Sequence, residues 1–65
     1  MITVNGRKEQ YPGPVTIASY LEGKGFRADR VAVERNGRIL KKSLYGDTVL
    51  KDEDCMEIVS FVGGG

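Results

Sequence analysis

Hydrophobic and polar positions along this chain alternate, then take helical spacing, then alternate again. Ile2 and Val4 alternate with Thr3 and Asn5, the pattern of a short strand with one buried face. Asn5-Gly6 reads as a tight hairpin turn, because a type I′ turn needs positive φ at both central residues. The returning strand, 7–11, is polar through Arg7, Lys8, Glu9 and Gln10, as suits a solvated sheet edge. Pro12-Gly13-Pro14 stops either kind of element. Thr16 is then a fitting N-cap, and Ile17, Tyr20 and Leu21 follow at i, i+3, i+4 on one helix face. Gly23 and Gly25 on either side of Lys24 end the helix after about two turns, with a left-handed cap and a cation at the negative end. Phe26 closes over the core as the chain leaves it.

Alternation returns at 31–35, with Val31 and Val33 inward. Asn36-Gly37 is a second hairpin signal and leads to Arg38-Ile39-Leu40. A polar connection, 41–48, holds Leu44 and Tyr45 as its expected anchors, and Val49-Leu50 precedes an acidic turn, Asp52-Glu53-Asp54. The last strand, 56–62, is the most apolar and is best placed at the centre of a sheet beside the first. A connection that crosses through the helix lets those two strands run parallel. The expected fold is therefore α+β, a β-grasp: a mixed four- to five-stranded sheet with one helix packed across one face. The domain covers 1–62, and 63–65 form a flexible glycine tail, mobile beyond Val62.

Composition narrows the chemistry by exclusion. Sixty-five residues make one small domain, with a net charge of +1 and no basic stripe of the kind duplex nucleic acid requires. There is no histidine and one cysteine, which removes hydrolase triads, His-containing zinc sites, thiolate clusters and internal disulfides. No metal site and no catalytic residue is expected: Asp52-Glu53-Asp54 lacks calcium-loop spacing and reads as a solvated turn. Cys55, beside that turn, is a poor setting for a nucleophile and reads as a small residue filling space at a strand entry. Neither a signal peptide nor an apolar membrane span is visible, so the expected setting is cytoplasmic, without membrane or nucleic-acid partners.

What remains is a surface and an end. Period two puts Met56 and Ile58 on one side of the last strand and Val59 and Phe61 on the other. If the first pair meets the helix, Val59 and Phe61 face outward and, with Val62, form a candidate docking patch beside the tail. The strand then empties into Gly63-Gly64-Gly65. Without Cβ atoms such an arm can enter a tunnel closed to side chains and present the Gly65 carboxylate there. Gly64 gives access, with Gly63 as a spacer. Terminal glycines are also simply disordered in many chains, and the pattern alone leaves both readings open.

Three blocks carry a resemblance: 2–6 (Ile2-Thr3-Val4-Asn5-Gly6), 31–37 (Val31-Ala32-Val33-Glu34-Arg35-Asn36-Gly37), and 49–54 running into 57–65. Across essentially its whole length the chain resembles the ThiS family, ubiquitin-like β-grasp sulfur carriers of thiamine biosynthesis. The resemblance implies that the chain is a co-substrate and not an enzyme. It implies that a ThiF-like adenylyltransferase uses ATP and magnesium to adenylate the Gly65 carboxylate, while this chain binds no cofactor itself. Sulfur from a cysteine desulfurase or another sulfur donor then yields a thiocarboxylate, which thiazole synthase consumes. The carrier is expected to be a monomer when free. Glu53 stands where the family's acidic turn has glycine, which predicts a different turn type, and Tyr45 stands in for a larger aromatic. Related alternatives are a molybdopterin-synthase small subunit and a ubiquitin-like modifier; an interaction module with an inert tail is the alternative from another class.

Overall fold

The two Asn-Gly pairs make the turns that the pattern asks for. In the computed structural model of the chain, which describes residues 1–61, Asn5 and Asn36 lie at φ 51° and 52°. They join β1 (Ile2–Val4) to β2 (Arg7–Glu9), and β3 (Val31–Arg35) to β4 (Arg38–Leu40), as antiparallel hairpins. The helix α1 (Ile17–Gly23) lies between the hairpins in sequence, and β5 (Cys55–Ser60) follows them. The sheet order is β2-β1-β5-β3-β4, with β5 central, parallel to β1 and antiparallel to β3. This is the mixed sheet with one helix expected of a β-grasp. Two strand limits differ from expectation. β2 stops at Glu9, and Tyr11 instead donates its hydroxyl to the Leu50 carbonyl at 2.9 Å. β5 starts one residue earlier than expected and ends at Ser60. Val62, Gly63, Gly64 and Gly65, and with them the expected tail mobility and domain boundary, lie outside the described residues.

A helix of seven residues is too short to persist alone, so its ends show what holds it. Thr16 Oγ1 accepts from the Ser19 N–H at 3.1 Å, as an N-cap should. The N–H groups of Ile17 and Ala18 donate to the carbonyls of Thr48 and Tyr45, at 2.8 and 3.0 Å. The connector thus satisfies donors that an isolated helix leaves to water. At the other end Phe26 N–H reaches Leu21 and Gly25 N–H reaches Glu22, at 2.9 and 3.0 Å, a Schellman closure. Gly25 takes the required left-handed conformation at φ 86°.

Ile17, Tyr20 and Leu21 bury one face of α1 with Ile2, Val4, Val31, Val33, Met56 and Ile58 from the sheet. Leu50 and Tyr45 complete this core from the connector, and the Tyr45 hydroxyl donates to the Val31 carbonyl at 3.1 Å. Leu44, expected as a second anchor, is 43% exposed. It ends a 3₁₀ turn, Lys42–Leu44, that aims the next residue, Tyr45, inward and leaves Leu44 outside.

The acidic turn is more than a solvated loop. Asp54 is only 5% exposed. Its Oδ2 accepts from Arg35 Nε at 2.9 Å and from the Lys51 N–H at 2.8 Å, while Oδ1 accepts from Asn36 Nδ2 at 3.0 Å. Asn36 also accepts the Cys55 N–H at 2.9 Å through Oδ1, so one cluster fixes both the β3–β4 turn and the entry of β5. Glu53 adopts φ 72°, a left-handed conformation that glycine takes without strain. Cys55 does not fill space at the strand entry. It is exposed, because the buried phase of β5 falls on Met56 and Ile58.

Burial pushes the Asp54 carboxyl up, but hydrogen bonds from the Lys51 N–H, Asn36 and Arg35 outweigh it and hold the group below its ordinary value of 3.8. A depressed folded value gives stability that is complete above the unfolded value and lost as pH falls through the folded one. Asp54→Asn is expected to cost about 2 kcal/mol at neutral pH. It should also flatten the loss of stability below about pH 4, as read by urea denaturation across pH. Glu53→Gly is expected to raise stability by about 0.5–1 kcal/mol, read from the same midpoints, because glycine relieves the left-handed strain.

Candidate functional site: the open face of the sheet and the root of the tail

The register of β5 decides what the uncovered face presents. Val59 lies opposite Ala32, and Glu57 opposite Glu34, on β3. Glu34 is in turn opposite Ile39 on β4. Together with Val33 these residues line a shallow, mainly apolar depression of about 110 Å³. Ile39 is 78% and Val59 58% exposed, so two β-branched side chains stand in solvent side by side with a pair of carboxylates. A further row on this face, by register, is Lys8, Thr3 and Cys55.

β5 is held in that register at two points, its entry and its middle. Beyond the Asp54 cluster, Asn5 imitates a peptide group: its Oδ1 accepts the Ile58 N–H at 2.7 Å and its Nδ2 donates to the Ile58 carbonyl at 3.2 Å. The Asn5 N–H adds a bond to the Met56 carbonyl at 2.9 Å. The turn residue therefore continues the β1–β5 ladder past the end of β1.

Of the residues expected to dock a partner, the structure brings only Val59 into this depression. Phe61 lies past the last strand residue, where its N–H donates to the Arg30 carbonyl at 2.8 Å. Its ring is 5.3 Å from Lys42 Nζ, which also donates to the Asp29 carbonyl at 3.0 Å. Phe61, 52% exposed, thus stands at the root of the tail, outside the depression. Val62, Gly63, Gly64 and Gly65 are outside the described residues. Ile39 and Glu34 were passed over as site residues. The signal was present, since a two-residue Asn36-Gly37 turn already pairs position 34 with 39 and sets both on one face.

A larger cleft between the first hairpin and the end of α1, about 550 Å³, holds charges that satisfy one another. Tyr20 donates to Glu9 at 2.7 Å, and Lys24 lies 3.3 Å from the same carboxylate. The Tyr20 hydrogen bond, and secondarily Lys24, lower the Glu9 carboxyl, while burial and then Glu9 push the Tyr20 phenol up. Among the described residues no three His, Cys, Asp or Glu side chains are grouped to hold a metal ion, and no helix is long and apolar enough to cross a membrane.

Comparison with known proteins agrees with this architecture. The chain matches the ThiS family over residues 2–65. It is 38% identical to the sulfur carrier protein ThiS of Bacillus subtilis, with all of both chains aligned. It is 39% identical over 64 residues to the thiazole synthase of Magnetococcus marinus, covering 98% of this chain but only 20% of that protein. The crystal structure of the thiamine biosynthesis protein ThiS from Geobacter metallireducens superposes with a TM-score of 0.80 at 34% identity, covering 98% of this chain and 97% of that one.

Exposure on the open face and burial one residue away make opposite demands. Ile39→Thr and Val59→Thr keep the β-branch and are expected to leave stability within about 0.5 kcal/mol. Ile58→Ala should cost about 2–4 kcal/mol in the same thermal melts.

Proposed function

The chain belongs to the ThiS family, and from that premise we propose that it is a sulfur carrier for thiazole formation in thiamine biosynthesis. On this reading the Gly65 carboxylate is the working group, and the chain is a co-substrate that is consumed and regenerated. A carboxylate is a poor electrophile, so its oxygen first attacks the α-phosphate of ATP on a ThiF-like adenylyltransferase, which supplies the magnesium, and pyrophosphate leaves. Sulfur drawn from cysteine through a desulfurase then replaces the adenylate, AMP leaves, and a thiocarboxylate remains for thiazole synthase to accept.

The observation that supports this most is the continuity of β5 with the tail. The central strand ends at Ser60, Phe61 is tied to the Arg30 carbonyl, and the sequence then runs Val62-Gly63-Gly64-Gly65. Side chains that recognise a partner stand on a fixed sheet, whereas the reacting end carries none to obstruct a narrow active site. Gly64 and Gly63 give the carboxylate access, while Val59, with Phe61 and Val62 nearer the tail, belongs to the docking surface. The likeness to a region of thiazole synthase supports that enzyme as the acceptor and favours thiamine over molybdopterin chemistry. The chain spans 20% of that relative's length, so the synthase activity itself is not carried over.

Incubation with the adenylyltransferase, ATP, magnesium and a sulfur donor is expected to shift the intact mass by the replacement of one oxygen with sulfur, located at Gly65 by fragmentation. Removing Gly64-Gly65 should abolish the shift while leaving the thermal melt unchanged. A full-length chain that stays unmodified, or a truncated one that still supports thiazole synthesis, overturns the proposal.

A further inference from the structure

An asparagine followed by glycine is chemically fragile. Glycine has no Cβ to shield its nitrogen, which can therefore attack the amide carbon of the preceding side chain. The new N–Cγ bond closes a succinimide, the Cγ–Nδ2 bond breaks, and the departing ammonia carries off the proton of the glycine N–H. Water then opens the ring to aspartate or isoaspartate. The chain carries this dipeptide twice, at Asn5-Gly6 and Asn36-Gly37, and all four residues are exposed. The space beside each glycine is open as well. Burial therefore protects neither pair.

What restrains them is the central strand, which both hairpins grip in the same way. The Asn5 N–H donates to the Met56 carbonyl at 2.9 Å, and its Oδ1 accepts the Ile58 N–H at 2.7 Å. The Asn36 N–H donates to the Cys55 carbonyl at 2.7 Å, and its Oδ1 accepts the Cys55 N–H at 2.9 Å. Each Nδ2 is engaged too, on the Ile58 carbonyl at 3.2 Å and on Asp54 Oδ1 at 3.0 Å. To react, the amide carbon has to swing toward the glycine nitrogen, which breaks the side-chain bonds that tie each turn to β5 or its entry. The two conversions differ in what the product meets. At Asn5 the donor facing the Ile58 carbonyl becomes an acceptor. At Asn36 the donor facing Asp54 becomes a second carboxylate, beside one that is only 5% exposed. We propose that Asn5-Gly6 and Asn36-Gly37 are deamidation sites latched by β5, and that conversion at Asn36 unlocks the strand by setting a carboxylate against Asp54. Opening of β5 permits the reaction and the product at position 36 favours opening, so conversion at one turn speeds conversion at the other.

The test ages the chain alone in mildly alkaline buffer below its melting temperature. Intact mass follows the amide-to-acid conversion, and peptide mapping separates the two sites. Folded wild type is expected to convert at least about 30-fold more slowly at both sites than short peptides of the same sequence, because reaction waits on opening. Ile58→Ala leaves every bond of both asparagines in place but weakens the strand, and should speed conversion about 10- to 100-fold. Thermal melts read the consequence at Asn36. Asn36→Asp is expected to melt about 10 °C lower than wild type. Asp54→Asn, costly by itself, should cost no more than about a third as much on top of Asn36→Asp, since that contact again pairs an amide with a carboxylate. Should Asn36→Asp not fold, its rescue by Asp54→Asn reads the same contact. Peptide-like rates in folded wild type, rates that Ile58→Ala leaves unmoved, or strictly additive losses in the double variant would each sink the proposal. The reaction needs only water and this chain, so its outcome is the same whether or not the tail carries sulfur.

Discussion

The registration of β5 is the constraint on which the rest of this structure depends. A strand shifted by one residue turns all its side chains to the opposite face, which here would bury Glu57 and expose Ile58. Polar side chains prevent that slip at two points. Asp54, buried among Arg35, Asn36 and the Lys51 amide, fixes where the strand enters. Asn5 binds both polar groups of the Ile58 backbone and fixes its middle. These bonds are specific in a way that apolar contact is not, because a shifted strand would leave a buried carboxylate unpaired.

Small size makes that specificity matter more. A domain of 65 residues has one core, and its single helix is two turns long. The connector between β4 and β5 compensates by capping α1 through Thr48 and Tyr45 while supplying Tyr45 and Leu50 to the core. Helix, connector and central strand are therefore one cooperative unit. The remaining face of the sheet is free to carry features that contribute nothing to stability, such as exposed Ile39 and the opposed glutamates.

On the carrier reading, recognition and reactivity are separated in space. Recognition belongs to side chains held on β3, β4 and β5, whereas reactivity belongs to a carboxylate at the end of a glycine arm. Phe61 lies between the two, tied to the Arg30 carbonyl and beside Lys42, and so sets where the arm leaves the fold. The domain supplies placement and selectivity, and the covalent chemistry falls to the enzymes that engage it.

Much of this was legible in local sequence because the governing forces are local. The Asn-Gly pairs dictate two hairpins, the Ile17, Tyr20, Leu21 spacing dictates a helix face, and the apolar final strand dictates a central position. Strand alternation alone put Val59 on the open face, and the glycine tail stands out in the sequence before the family resemblance gives it a role. Tertiary structure decided what depends on residues distant in sequence. Asp54 looked like part of a solvated turn because its partners, Arg35 and Asn36, are 19 and 18 residues away. Asn5 looked like a turn former only, since Ile58 is 53 residues distant. Leu44 turned outward because it sits where an element ends and alternation no longer controls direction, whereas Cys55 is outward because the buried phase of β5 falls on Met56 and Ile58. Sequence by itself determined the elements and their order. The pairing of Glu34 with Glu57, and hence the charge at the centre of the open face, exists only once β5 lies beside β3, since that contact joins segments no local periodicity connects.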